Sequence, residues 1–282
     1  MREARRYPEN LKDVFDTHAH LYDSRFEENG MTSEMILRNA ASSGVTRILI
    51  PADNETTSLA ACEFVRKYDG TEGVELFCSV GVHPHEASSY SPEVEERLLD
   101  MIKRKDELKI RAIGEIGLDY YYDLSPRDVQ KEVYRRQLEL AYENDMPIIL
   151  HERDATGDSI DILRGLYKEG RLRENPGVCH CCTCSPEIAR ELVKMGFYIG
   201  FDGPLTFKNN KKTPSILENV PDDRIVIETD SPYLTPEPNR GITNEPANVV
   251  WVADKIASLR GRTAEEIIRL TTENAMRLYE LI

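Results

Sequence analysis

Eight short β-prone runs recur along this chain, at Asp13–Thr17, Val45–Ile50, Val74–Val80, Ile110–Glu115, Pro147–His151, Gly177–His180, Phe197–Gly200 and Arg224–Glu228, with amphipathic segments after most of them. A chain that alternates strands with helices in this way builds an α/β layer structure, and eight units suggest a TIM-like (β/α)8 barrel. A doubly wound open sheet fits the same rhythm but sets the first and eighth strands far apart, whereas closure makes them neighbours. No boundary rich in Gly, Pro or Ser interrupts the pattern, so residues 1–282 are expected to form a single barrel domain.

Helix-start chemistry supports these divisions. Ser125-Pro126-Arg127-Asp128 combines a capping hydroxyl, proline at the first helical position and a nearby acid, and Thr263-Ala264-Glu265-Glu266 repeats the box without proline. The closing stretch from Asn248 to Ile282 reads as two helices packed on the barrel. Pro232, Pro236 and Pro238 surround Tyr233 and Leu234, which suits a loop over a site better than a free linker.

The polar residues at the strand exits share a destination. His18 and His20 follow strand one, His83 and His85 strand three, Glu115 strand four, His151 strand five, His180 strand six and Asp230 strand eight. Barrel enzymes collect their active sites at the carboxyl ends of the strands, whatever the separation in sequence. A histidine taken singly is most often a hydrogen-bonded or exposed bystander. Six of them, all at one rim and beside carboxylates, form the pattern of a metal-dependent hydrolase.

Composition narrows the alternatives. With 50 acidic against 36 basic side chains the formal charge is -14, which argues against a protein that coats nucleic acid but permits one that grips a few phosphates through metal ions. No apolar stretch approaches the roughly 20 residues of a membrane helix. The opening MREARRYPEN leads into no signal-like core. Four of the six cysteines crowd into positions 179–184, poor spacing for the disulfides of a secreted fold, so reduced thiols and a cytoplasmic location are expected.

The ordered segments FDTHAHL (15–21), GVHPHEA (81–87), AIGEIGLDY (112–120), PIILHERDA (147–155), VCHC (178–181), ETDSPYLTP (228–236) and RGITNEP (240–246) span nearly the whole chain. In this they resemble the TatD-type metal-dependent deoxyribonucleases of the amidohydrolase superfamily. The resemblance implies a TIM-like barrel with two divalent ions, Mg, Mn or Zn, and hydrolysis of phosphodiester bonds in DNA, commonly from the 3′ end. It implies that His18, His20 and Asp230 hold one metal, that Glu115 bridges, and that His151 and His180 hold the second. Asp230 would also accept the proton of the attacking water. His83 would face the phosphate as donor or proton shuttle, His85 would support the turn or take part in catalysis, and Arg153 would offer its planar fork to a phosphate.

Further residues are read from their own chemistry. Asp119 suits an acid that orients a ligand or Arg153. Tyr120, Tyr121 and Tyr122 could stack bases, although adjacent side chains cannot share one platform, so packing is expected for at least two of them. Lys208, Lys211 and Lys212 could hold flanking phosphates, or form a solvated charge run. Cys182 and Cys184 stand where the resembled family commonly has phenylalanine and glycine, which puts a side chain near a possible phosphate approach. Packing outranks a redox or separate metal role for these thiols.

The resulting expectation is a 3′-to-5′ exonuclease acting on single-stranded or frayed DNA ends, with no membrane and no required protein partner. Two other classes compete: a binuclear-metal amidohydrolase for a small amide, ester or lactone, and a noncatalytic metal-binding barrel.

Overall fold

The computed structural model describes residues 5–7 and 11–282. Eight parallel strands follow one another around the sheet in sequence order: β1 (Val14–Asp16), β2 (Val45–Ile50), β3 (Glu75–Val80), β4 (Ile110–Asp119), β5 (Ile148–Arg153), β6 (Gly177–Cys179), β7 (Tyr198–Phe201) and β8 (Ile225–Ile227). Between and after them lie α1 (Arg25–Glu28), α2 (Ser33–Ser42), α3 (Glu55–Tyr68), α4 (Pro92–Lys103), α5 (Arg127–Glu143), α6 (Thr156–Lys168), α7 (Pro186–Lys194), α8 (Lys212–Glu218), α9 (Val249–Arg260) and α10 (Ala264–Leu278). The seam between the first and last strands is bridged just beyond their ends. Thr17 N–H donates to Ile227 O at 3.2 Å, Asp230 N–H to His18 O at 2.9 Å and His20 N–H to Ser231 O at 2.8 Å.

The strand period of two sorts the apolar residues into two cores. One buried residue from each strand points into the barrel: Phe15, Leu49, Phe77, Ala112, Ile149, Val178, Tyr198 and Val226. Their neighbours, among them Val14, Ile48, Ile50, Ile113 and Leu150, face outward against the helices. Helix α10 plugs the amino end of the barrel, where Ala275, Leu278 and Tyr279 join the interior layer. Among the described residues no helix plugs the opposite mouth, and the polar strand exits gather there.

Local chemistry sets most helix starts. Asn54 and Thr57 form a reciprocal capping box on α3, Ser91 and Ser185 cap α4 and α7 ahead of a proline, and Thr263 with Glu266 forms the expected box on α10. The cap expected of Ser125 is not made. Its hydroxyl donates instead to His85 O at 2.9 Å and accepts from Ser88 N–H at 3.1 Å, so it braces the histidine turn after β3 and leaves α5 without a side-chain cap. Strand β4 also runs past its expected end at Glu115 as far as Asp119, which places Glu115 within the strand.

Candidate metal centre

Glu115 is the centre of the carboxyl-end cleft, and its two oxygens face different ways. Oε2 lies 3.5 Å from His18 Nε2 and 3.6 Å from His20 Nε2, while Oε1 lies 3.5 Å from His151 Nδ1 and 3.8 Å from His180 Nε2. Asp230 closes the first group, its Oδ1 standing 3.4 Å from His20 Nε2, 3.7 Å from His18 Nε2 and 3.9 Å from His180 Nε2. The six residues expected from sequence to hold metal are therefore brought together.

Each is aimed by local structure. His18 and His20 flank Ala19, whose parallel bridge to Ser231 at the seam brings the chain segment of Asp230 alongside them. Asp230 adopts φ 55°, a left-handed conformation that Asp and Asn tolerate, with its N–H donating to His18 O. Gly81, at the exit of β3, comes so close to β4 that an added Cβ would stand 2.9 Å from Gly114 N. Gly200 in β7 leaves space for the Glu228 carboxylate, which a Cβ there would meet at 2.4 Å.

The donor set fits cations. His18 Nε2 and His20 Nε2 stand 3.2 Å apart, both turned towards carboxylate oxygens, and His18 Nδ1 is a buried nitrogen without a hydrogen-bond partner among the described residues. Burial and the neighbouring His180 push His18 below the usual imidazole range, which favours the neutral form that ligates metal. Burial alone would raise Glu115 and Asp230. The surrounding imidazoles outweigh it, holding both below the usual carboxylate range and ready to bind cations as carboxylates. Four overlapping groups of ligand atoms form here, His18–His20–Asp230, His18–Glu115–His180, His83–Glu115–His151 and His20–Asp53–Glu115, and this mixture of imidazoles and carboxylates suits two divalent ions.

An outer layer orients these groups. Asp119 is buried, and its Oδ2 lies 3.1 Å from His151 Nε2 and 2.9 Å from His85 Nε2. Burial would raise its pKa, but the histidines and the Tyr122 N–H outweigh that and hold it below the usual range. Asp119, expected to orient a ligand or Arg153, is thus placed against His151 and His85. His83 Nδ1 accepts the His85 N–H at 3.1 Å, which leaves Nε2 to carry the proton of the neutral ring. Burial and the nearby His151 hold His83 well below the usual range.

Several contributors escaped sequence reasoning. Glu228 Oε1 lies 3.1 Å from His180 Nδ1 and accepts the Cys181 N–H at 2.6 Å. Tyr22 OH donates to Asp53 Oδ2 at 3.1 Å and stands 3.5 Å from His20 Nδ1. Asp202, pushed up to about 8 by burial and the Glu228 carboxylate, is buried after β7. The barrel rhythm held the signal for two of these, because Asp53 and Asp202 follow the two strands whose exits supplied no expected histidine or acid.

The remaining expected residues lie outside the central group. Arg153 is exposed and stacks over Tyr121 and Tyr122 at 3.9 and 4.8 Å. Lys208, Lys211 and Lys212 are exposed on the connection from β7 into α8 and do not line the cleft, where His20, Asp53, His83, His85, His151, His180, Asp230 and Tyr233 do. Tyr120 is held by Asp158 at 2.6 Å beneath Arg127, while Tyr121 and Tyr122 meet at 89°, so no common platform forms. Cys182 and Cys184 turn into the apolar core with their sulfurs 3.1 Å apart, so the side chain at 184 avoids the cleft.

Known proteins resemble this chain over nearly its whole length. The sequence model of the family TatD related DNase matches residues 15–280. The metal-dependent hydrolase YabD of Bacillus subtilis (strain 168) is 43% identical over 272 residues, covering 95% of this chain and 99% of its own. The 3'-5' ssDNA/RNA exonuclease TatD of Cronobacter sakazakii is 32% identical over 272 residues, with 94% and 97% covered. The crystal structure of the TatD homologue YJJV from Escherichia coli K12 superposes with a TM-score of 0.83 at 27% identity, over 95% of this chain and 98% of that one. The chain belongs to the TatD-related DNase family of metal-dependent hydrolases.

Proposed function

We propose that this chain hydrolyses phosphodiester bonds in DNA, removing nucleotides from the 3′ end of single-stranded or frayed strands. The observation that carries the reading is the division of Glu115, one oxygen toward His18 and His20 and the other toward His151 and His180. When bound, two divalent ions supply Lewis acidity and an activated water to such a site. The residues of the chain do the rest. His18, His20 and Asp230 would hold one ion, His151 and His180 the other, and Glu115 would serve both. Asp230, kept ionised by its histidine neighbours, orients the attacking water and accepts its proton. His83 presents Nε2–H to a phosphate oxygen, and Asp119 fixes the ring of His151 while bracing His85. Arg153 and the lysines 208, 211 and 212 take phosphates away from the reacting one.

The cleft, a cavity of about 410 Å³, is lined almost wholly by imidazoles, carboxylates and tyrosines. That lining suits a charged diester better than the apolar leaving group of a small ester or lactone. No helix among the described residues is long and apolar enough to cross a membrane. A cytoplasmic site of action suits the crowding of four cysteines into positions 179–184. The test is a single-stranded oligonucleotide labelled at its 5′ end and incubated with Mg, Mn or Zn. Stepwise shortening from the 3′ end supports the reading, and a blocked 3′ end should slow it. Circular DNA cut as fast as linear DNA would defeat the end-acting part. Turnover of a small amide or ester with DNA untouched would replace the reading altogether.

A further inference from the structure

Most surface arginines of this protein are neutralised by carboxylates: Arg97 by Glu55, Arg136 by Glu95, Arg164 by Glu191 and Arg127 by Asp123. Two arginines beside the cleft differ. Arg25 lies 4.4 Å over the ring of Tyr233, and Arg153 lies 3.9 Å over Tyr121 and 4.8 Å from Tyr122, and neither has a carboxylate at ion-pair distance among the described residues. An arginine seated on an aromatic face keeps its plane fixed and its edge N–H groups free, an arrangement that suits phosphate oxygens. Arg127 is the internal contrast, since it also covers a tyrosine, Tyr120, but is already paired.

Both seats are tied to the metal cleft. The Tyr233 ring stands edge-on to His20 with centroids 6.0 Å apart, and its hydroxyl donates to Asp23 at 2.6 Å. On the other side Tyr122 stands edge-on to His85 at 5.3 Å. Asp119 connects that seat to the centre directly. Its Oδ1 accepts the N–H groups of Tyr121 and Tyr122 at 3.0 and 2.8 Å, while its Oδ2 holds His151 and His85. Arg25 and Tyr233 follow β1 and β8, whereas Arg153 ends β5 and the two tyrosines follow β4. In a barrel whose strands run in the order β1 to β8, those pairs of exits lie on opposite sides of the mouth.

We infer that Arg25 on Tyr233 and Arg153 on Tyr121 and Tyr122 are two flanking subsites that grip the phosphates on either side of the scissile one in a single-stranded oligonucleotide. Tyr121 and Tyr122, 58% and 53% exposed, leave ring surface not covered by Arg153 for an unstacked base beside that subsite. A paired duplex cannot turn its bases to such rings. The inference rests on the nuclease reading and adds how a strand crosses the cleft.

The test uses metal-loaded protein and a fluorescent, cleavage-resistant phosphorothioate hexadeoxynucleotide, with affinity read by anisotropy over a salt series. Each of Arg25→Gln and Arg153→Gln should lower the magnitude of the slope of log affinity against log salt by about 0.7, the value for one single-strand phosphate contact. Arg127→Gln should leave the slope as it is. With an ordinary hexanucleotide, kcat/KM relative to that for bis(4-nitrophenyl) phosphate should fall about tenfold or more in each single variant, the worth of one charge-assisted contact, and further in the double variant. Unchanged slopes in both arginine variants overturn the inference and leave the nuclease reading standing. An arginine-dependent slope with no diester cut under any metal retains the grip and removes the nuclease reading. Failure of the unaltered protein to bind the oligonucleotide removes both.

Discussion

The two ends of the barrel carry cavities of opposite character, and the larger is not the one with chemistry. At the amino end a cavity of about 720 Å³ is lined by Lys12, Asp13, Arg47, Glu265, Glu266, Arg269, Thr272, Glu273, Met276 and Ile282. Many of its polar groups already have partners: Arg47 pairs with Asp13, Thr272 donates to Asp13 O at 2.8 Å, and Glu266 completes the cap of α10. The carboxyl-end cleft, at about 410 Å³, instead gathers imidazoles and carboxylates around Glu115, with the Nε2 atoms of His18 and His20 3.2 Å apart and turned to the same carboxylate oxygen. Charges that satisfy one another hold a structure together, while imidazole nitrogens and carboxylate oxygens converging on one point suit a bound cation.

The strongest way to break this contrast is to remove the base at the carboxyl end. Asp230→Asn should lower kcat on a DNA substrate by about 10²–10⁴-fold, the usual worth of a positioned general base. Asparagine tolerates the left-handed backbone at that position, so the melting temperature should stay close to that of the parent. Near-normal turnover with Mn or Mg supplied would take Asp230 out of the mechanism.

Metal removal should come next. Ions that bind only the folded chain stabilise it by about 2.7 kcal/mol at a free concentration 100 times Kd, so chelation should lower the melting temperature of the parent and re-addition should restore it. In His18→Ala the same treatment should produce a smaller shift. A parent protein whose melting ignores both chelator and added metal would show that the converging groups satisfy one another without ions.

How much of this contrast was legible in the sequence depends on the range of each interaction. Strand β2 occupies its expected span, and all eight runs became strands, because a β-branched apolar run between helices is a local signal. The six candidate ligands were legible for a related reason, since His18, His20, His180 and Asp230 stand just beyond a strand and His151 near the end of one, although Glu115 lies inside β4. Glu228 was not, since it looks like the end of an apolar run and acts on His180 across the β6–β8 gap. Asp53 needed Tyr22, far away in sequence, to reveal its role. Ser125 has the sequence of a cap, but the tertiary partner His85 O claimed its hydroxyl. Local pattern fixes which side chains reach the mouth, while their orientation is set by contacts between loops.

A change in the supporting layer should have an intermediate effect. Asp119→Asn keeps the volume but weakens the hold on His151 and His85, and metal affinity or activity should fall by about 10–100-fold. Equal metal affinity and turnover would make Asp119 a support for the tyrosine turn alone.

The smallest effect should lie at the other end. Arg47→Ala breaks an ion pair with partly exposed Asp13 and should cost at most about 1 kcal/mol of stability. Its kcat/KM on DNA should match the parent. A loss of activity without loss of stability would mean that the amino-end cavity communicates with the cleft and that the contrast between the ends is drawn too sharply.

The central claim, that one carboxylate joins two groups of imidazoles into a binuclear centre, is tested most directly by anomalous diffraction from crystals grown with Mn or Zn. The account predicts two peaks about 3.5–4 Å apart, with Glu115 between them, His18, His20 and Asp230 around one, and His151 and His180 around the other. Metal bound at the amino end, or two peaks with Glu115 touching neither, would contradict it.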